Sequence, residues 1–198
     1  MILPARTVLD GVSDPGQAAE AAALGVDGMV LRLGEQGPVG IDAQTARAIA
    51  AAVPPLVDLW CLPAPGSEAP ALADAVVTSA RTPRPPQARR HIVRVAHERL
   101  DVEAIPQAAD AVWVRPRASR SGAATAFDFH LLERASRSLR LVLEIPDGAA
   151  GVETAMRLGR PFALLFAEAV WRHPGIIDLD RLEAALAVTA RLNKAAYP

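Results

Sequence analysis

Short runs of apolar, β-favouring residues alternate along the chain with Ala- and Leu-rich segments whose apolar positions recur at helical spacing. The runs fall at residues 6–9, 28–33, 56–61, 75–78, 91–95, 111–114, 140–144 and 162–166. All are short and mostly apolar, as strands of a buried parallel sheet are. Helical spacing predicts helices over residues 14–24, 42–52, 101–108, 128–136, 149–158 and 178–193. Ser13, Asp14-Pro15 and Asp42 stand at two of their starts, where a side-chain oxygen or a first-turn proline satisfies free backbone N–H groups. Pro63, Pro65, Pro70, Pro83, Pro85 and Pro86 crowd the third and fourth connections. Proline has no N–H to give a helix, so loops or single turns are expected there. Eight βα units in 198 residues predict a compact single-domain (β/α)8 TIM barrel over residues 1–198 with shortened third and fourth helices. A doubly wound open sheet is the other arrangement this alternation allows.

Composition narrows the partners. The chain is 51% hydrophobic and 22% charged, and no apolar run approaches the ~18 residues that a membrane span needs. A net charge of −1 gives no general attraction for a polyanion, so neither membrane nor nucleic acid is expected as a partner. Arg81, Arg84, Arg89 and Arg90 form a local basic stretch, read as a solvated helix face. The N-terminus lacks a charged region followed by a long apolar stretch, and Cys61 has no partner for a disulfide. Both point to the cytoplasm. Lys194 is the sole lysine and lies near the tail, which argues against Schiff-base chemistry in the interior. His91, His97, His130 and His173 show no metal-ligand spacing, so neither metal nor cofactor is expected. Cys61 has no evident His–acid partnership that would make it a nucleophile.

The ends of the predicted strands are more informative. They carry Asp10, Arg32, Asp58, Arg94, Arg115, Glu144 and Glu168, and the C-terminal end of the strands is where barrels do chemistry. One reading is a polar pocket: Asp10 a base, Arg32 and Arg115 holding an anionic group, and Glu144 a second acid or base. Asp58, Arg94, Glu168 and His173, which sits in the turn after the eighth strand, would then contact the ligand. The other reading is a mutually neutralising ion-pair network that plugs the mouth, since buried charges must be paired. Trp113 shares strand parity with Arg115 and should point into the barrel.

Two motifs connect this chain to a family. Phe127-Asp128-Phe129-His130-Leu131-Leu132, followed by Pro174-Gly175-Ile176-Ile177-Asp178-Leu179-Asp180, resembles the C-terminal half of phosphoribosylanthranilate isomerases. Gly11-Val12-Ser13-Asp14-Pro15 with Asp27 is similar to the opening of the same family. The resemblance implies an Amadori rearrangement of a phosphorylated aminoribose, run by one general base and one general acid. The family's base is a Cys ending the first strand, where Asp10 stands here. Its acid is an Asp ending the sixth strand, where Arg115 stands, and arginine is no proton donor near neutral pH. The family's glycine-rich loop before the FDF motif appears as Ser121-Gly122-Ala123-Ala124-Thr125-Ala126. Its phosphate-binding glycines after the seventh strand appear as Ile145-Pro146, and proline offers an anion no N–H. The turn after the eighth strand reads Ala167-Glu168-Ala169-Val170-Trp171. A carboxylate about 5 Å from a phosphate charge costs on the order of 3 kcal/mol at an effective dielectric near 20, so Glu144 and Glu168 also argue against phosphate at its usual place.

These departures lead to the expectation of a noncatalytic or regulatory paralogue that binds a small anionic molecule or a protein partner. The alternative is a divergent enzyme with isomerase- or lyase-type acid/base chemistry on another small anionic substrate, with Asp10 as base. A genuine phosphoribosylanthranilate isomerase of tryptophan biosynthesis with relocated catalytic groups ranks third. Oligomeric state is left open.

Overall fold

The computed structural model describes residues 4–65, 67, 70–116 and 127–196. Eight parallel strands make a closed barrel: β1 (Arg6–Asp10), β2 (Gly28–Leu33), β3 (Asp58–Pro63), β4 (Ala75–Ser79), β5 (Arg90–Ala96), β6 (Ala111–Arg115), β7 (Leu141–Ile145) and β8 (Ala163–Phe166). Each strand pairs with the next in sequence, and β8 returns to β1 to close the ring. The helices are α1 (Pro15–Ala23), α2 (Ala43–Ala52), α3 (Phe129–Ala135), α4 (Ala149–Thr154) and α5 (Leu179–Ala196). This is the (β/α)8 TIM barrel that the alternation predicted. Among the described residues no helix is long and apolar enough to cross a membrane.

The caps form where the sequence placed them. Asp14 accepts from the Gln17 N–H at 2.9 Å and Asp42 from the Thr45 N–H at 2.7 Å. Asp128, the central residue of the FDF motif, accepts from the N–H groups of His130 and Leu131 and opens α3. Its own N–H donates to Nε2 of buried His97 at 3.0 Å, so the start of α3 is fastened to the turn that leaves β5.

Among the described residues the connections from β3 to β4 and from β4 to β5 hold turns and no helix, where loops or single turns were expected. The helix expected over residues 101–108 is also missing. That segment is a series of turns after a short 3-10 helix at His97–Arg99. Pro106 sits in the middle of it, removing an N–H and pushing Ile105 out of the helical region. Leu100 and Ile105 are nonetheless buried against the core, so turns cover the outside of the barrel there. The basic stretch is not a helix face either. Arg84 bonds to the carbonyls of Ala88, Arg89 and Ala108 and to the Asp110 carboxylate, while Arg90 is part of β5.

Partnered residues of parallel strands point to the same side, so the register fixes which side chains enter the barrel. From Asp10 opposite Val30, the inward set passes through Arg32 and Leu62, Trp60 and Ala75, Ser79 and Arg94, and Trp113 and Arg115. It continues through Val142 and Glu144 to Leu165 and returns to Val8 and Asp10. Closure without a parity break means that Asp10, Arg32, Arg94, Arg115 and Glu144 all lie on the interior face.

A device not apparent from the sequence ties the strands in pairs at their N-terminal ends. Asp27, just before β2, accepts from the Thr7 N–H of β1 at 2.7 Å. Asp74, just before β4, does the same for Leu59 of β3 at 2.9 Å, and Asp110, just before β6, for His91 of β5 at 2.7 Å. In each case the Asp N–H donates back to the carbonyl of the same partner. The last pair keeps that backbone bond, Phe162 N–H to Leu141 O at 2.8 Å, but phenylalanine has no carboxylate to complete the clamp.

Candidate active site at the barrel mouth

The C-terminal end of the barrel holds two charged groupings. In the first, Asp10 ends β1 with its side chain fully buried, and Arg32 of β2 grips it with both arms: Nε to Oδ1 at 3.0 Å and Nη2 to Oδ2 at 2.6 Å. The remaining arm of Arg32 reaches Glu35 Oε2 at 3.4 Å. Burial pulls the Arg32 guanidinium down, but hydrogen bonds and charge from Asp10, with Glu35 adding, outweigh it and hold Arg32 above its ordinary value. Trp171 lies over this pair. Its indole N–H donates to the Asp10 carbonyl at 3.1 Å, and the Arg32 guanidinium sits 5.9 Å from its ring centre. Gly11 makes that approach possible: it has φ +78, and a Cβ there would run into the Trp171 ring.

The second grouping stands on β5, β6 and β7. The Trp113 indole N–H donates to Glu144 Oε2 at 3.0 Å, and Arg115 Nε lies 3.6 Å from the same oxygen. Arg94 lies over the Trp113 ring with its guanidinium carbon 5.3 Å from the centre. Burial pushes the Glu144 carboxyl up; the Arg115 charge opposes this and the Asp10 charge adds to it. Burial likewise pulls the Arg94 guanidinium down, with repulsion from Arg115 and Arg32 in the same direction. Among the described residues Arg94 has no carboxylate within ion-pair distance.

Of the eight residues expected at the mouth, five are brought there. Asp10 and Arg115 both face inward but do not pair across the barrel, because each is bound to a residue of a neighbouring strand. Asp58 is not at the mouth. Asp58 stood third in its apolar run, nearer the start than the end, and the strand begins two residues later than that run, so Asp58 is its first residue, at the opposite end of the barrel. There it pairs with Arg6 at 2.5 Å and Arg90 at 2.9 Å. Glu168 lies exposed in the turn after β8, and His173 is exposed in a two-stranded hairpin formed by Trp171–His173 and Ile176–Ile177. Neither bonds to the charged groupings among the described residues. Cys61 is fully buried, and burial pushes its thiol up to about 12, which leaves it inert. The Ser121 to Ala126 loop lies outside the described residues. Glu35 was missed by strand-end reasoning because it belongs to the loop after β2. Beside the mouth, a cavity of about 160 Å³ lies between α3 and α4, lined by Phe127, Phe129, Ile145, Pro146 and Asp147 among others.

No family model matches this sequence. An N-(5'-phosphoribosyl)anthranilate isomerase of Halorhodospira halophila (strain DSM 244 / SL1) is 30% identical over 207 residues, covering 94% of this chain and 97% of the relative. The chain belongs to the phosphoribosylanthranilate isomerase family. Solved phosphoribosylanthranilate isomerases share its fold. The Thermotoga maritima protein superposes with a TM-score of 0.79 at 18% identity, and the Thermus thermophilus protein with 0.77 at 22%; each match covers 94% of this chain and 99% of the other. The expectation of a noncatalytic paralogue is corrected by these matches, as is that of an enzyme for a different substrate. The likeness to an isomerase runs end to end, and the changes at Asp10 and Arg115 do not amount to a demonstrated loss of catalytic groups. In this phosphoribosylanthranilate isomerase-family barrel the carboxyl groups on the interior face at the mouth end stand on β1 and β7, where the resemblance implied a Cys on β1 and an Asp on β6.

Proposed function

We propose that this chain is a cytoplasmic isomerase that converts N-(5'-phosphoribosyl)anthranilate to its aminoketose, the Amadori step of tryptophan synthesis. The observation that carries this reading is the 30% identity to an isomerase of that name along nearly the whole of both chains. The mouth supplies what the reaction requires: a carboxylate to take a proton from carbon and a carboxyl group to give one to oxygen.

In this reading Glu144 is the acid. It gives its proton to the ribose ring oxygen as the C1–O bond breaks and the aniline nitrogen lone pair forms the C1=N bond. Asp10 is the base. It removes the C2 proton, whose bonding electrons form C1=C2 and neutralise the iminium nitrogen. Ketonisation then moves the C2 hydroxyl proton to C1 and leaves the C2 carbonyl. Two features fit these roles. Arg32 fixes the plane of the Asp10 carboxylate through two bonds, and a guanidinium held this way faces an ionised partner. Glu144 sits in a buried setting that favours its protonated form, and carboxyl groups in contrasting environments divide acid and base work between them.

Complementation of a tryptophan auxotroph that lacks the isomerase tests the reading. Growth without tryptophan is expected from the wild-type gene and not from Asp10→Asn or Glu144→Gln. Absence of growth with soluble, folded protein in the cell would end it.

A further inference from the structure

The phosphate of the proposed substrate needs a receptor, and the turns after β7 and β8 are poorly built for one. Ile145 is followed by Pro146, which has no N–H. Asp147 and Glu168 place exposed carboxylates on the two turns. The Trp171 ring occupies the space over Gly11, and its N–H is already bonded to Asp10. The cavity between α3 and α4 has an apolar wall, and its one charged lining residue, Asp147, is negative.

The neighbouring strands β5 and β6 have the complementary character. Arg32 is neutralised by Asp10 and Glu35, so positive charge in excess lies with Arg94 and Arg115. Arg94 faces inward, level with Ser79 on one side and Trp113 on the other. Its guanidinium carbon lies over the indole, 5.3 Å from the ring centre, with no carboxylate partner among the described residues. A partly buried cation left unpaired is unfavourable unless something else supplies its counter-charge. Arg115, half exposed at the rim, meets Glu144 only through Nε at 3.6 Å. Stacked guanidinium groups present planar N–H forks to oxyanions, with specificity that lysine cannot match.

We propose that Arg94 and Arg115, with Trp113 beneath Arg94, form a phosphate-monoester subsite on β5 and β6 that takes the 5'-phosphate of the substrate. Naming that phosphate rests on the isomerase reading; the anion site itself does not. It places the phosphate on the Glu144 side of the mouth and directs the aromatic end toward Trp171.

Calorimetric titration of the full chain with ribose 5-phosphate, inorganic phosphate and anthranilate tests this. Ribose 5-phosphate is expected to bind and inorganic phosphate to compete with it. Affinity should fall at least ~10-fold in Arg94→Gln and in Arg115→Gln, partly recover in Arg94→Lys, and stay unchanged in Arg172→Gln, a control at an exposed arginine. Thermal unfolding of each variant separates lost binding from lost folding. Unchanged ribose 5-phosphate affinity in folded Arg94→Gln, or no binding by the wild type, overturns the proposal. Loss of anthranilate binding alone would overturn it too, by assigning the pair to the aromatic carboxylate. The outcomes stay distinct from those of complementation: a protein that complements while Arg94→Gln leaves its KM unchanged loses only the anion site. One that binds ribose 5-phosphate through Arg94 yet fails to complement loses only the isomerase reading.

Discussion

Substituting Gly11 by alanine tests the joint between β1 and Trp171 on which the Asp10 grouping depends. Two costs add. At φ +78 alanine pays about 1–2 kcal/mol for a left-handed conformation. The new Cβ would also stand inside van der Waals contact of Trp171 Cζ2 and 3.2 Å from Cε2 and Cη2. The ring is bonded to the Asp10 carbonyl and covered by Arg32, so yielding disturbs both, and overpacking of this kind costs about 1–3 kcal/mol. The sum is about 2–5 kcal/mol, roughly 5–15 °C of Tm for a chain of this size. Gly37 supplies the control, having φ +103 and nothing within 4 Å of a built Cβ, so Gly37→Ala carries the conformational cost alone. The restriction that alanine places on the unfolded chain is common to both variants and cancels in their difference. Urea denaturation of the two proteins should therefore separate them by about 1–3 kcal/mol. Equal stabilities, within about 0.5 kcal/mol, would refute the claim that Trp171 is packed against Gly11.

Three other outcomes follow from the geometry. Glu144→Gln should lower kcat by about 10²–10⁴ and abolish an alkaline limb in the wild-type pH–rate profile. Because burial raises this carboxyl, the stability that its protonated form contributes is present below its ordinary 4.5 and lost as pH rises through the folded value. Denaturation across pH should therefore show wild type losing ground to Glu144→Gln as pH rises from 4.5 to the folded value and no further change above it, and a flat difference throughout would count against the assignment. Asp27→Ala removes the acceptor shared by the Thr7 N–H and hydroxyl, at a cost of about 1–3 kcal/mol by the same assay; a neutral result would deny the clamp its structural role. The Cys61 thiol, pushed up to about 12 by burial, should react with a thiol reagent only in denaturant, and rapid modification of the native protein would contradict its burial.

Much of the frame was legible because strand burial and helix capping are local properties. All eight strands appeared within two residues of their observed bounds, and inward parity correctly grouped Trp113 with Arg115. Asp58 was misplaced because it was grouped with the strand ends although it stood third in its apolar run, and the strand begins two residues later, which makes it the first residue. The helix over residues 101–108 was credited to its apolar spacing, whereas Pro106 decided the outcome. The clamps at Asp27, Asp74 and Asp110 escaped notice because one residue recurring before a strand is no repeat until hydrogen bonds give it a partner. Function was misjudged for a related reason: comparing strand ends one at a time registered Asp10 and Arg115 as losses. A barrel mouth is shared space, where Glu144 on β7 reaches the indole of β6 and stands beside Arg115.

The clamps also make the connections of this barrel unequal as places to cut. A break within residues 34–57, 80–89 or 116–140 falls between clamped pairs and leaves all three carboxylate bonds within single continuous segments. A break within residues 11–26, 64–74 or 97–110 separates a strand from the aspartate that holds the N–H of its second residue. Circular permutants opened at the first set of connections keep each clamp a short-range contact along the chain, whereas the second set turns one clamp into the longest loop closure the chain must make. The barrel is thus divisible into three bonded dyads and one looser pair, β7 and β8, whose backbone bond at Phe162 lacks a carboxylate to reinforce it.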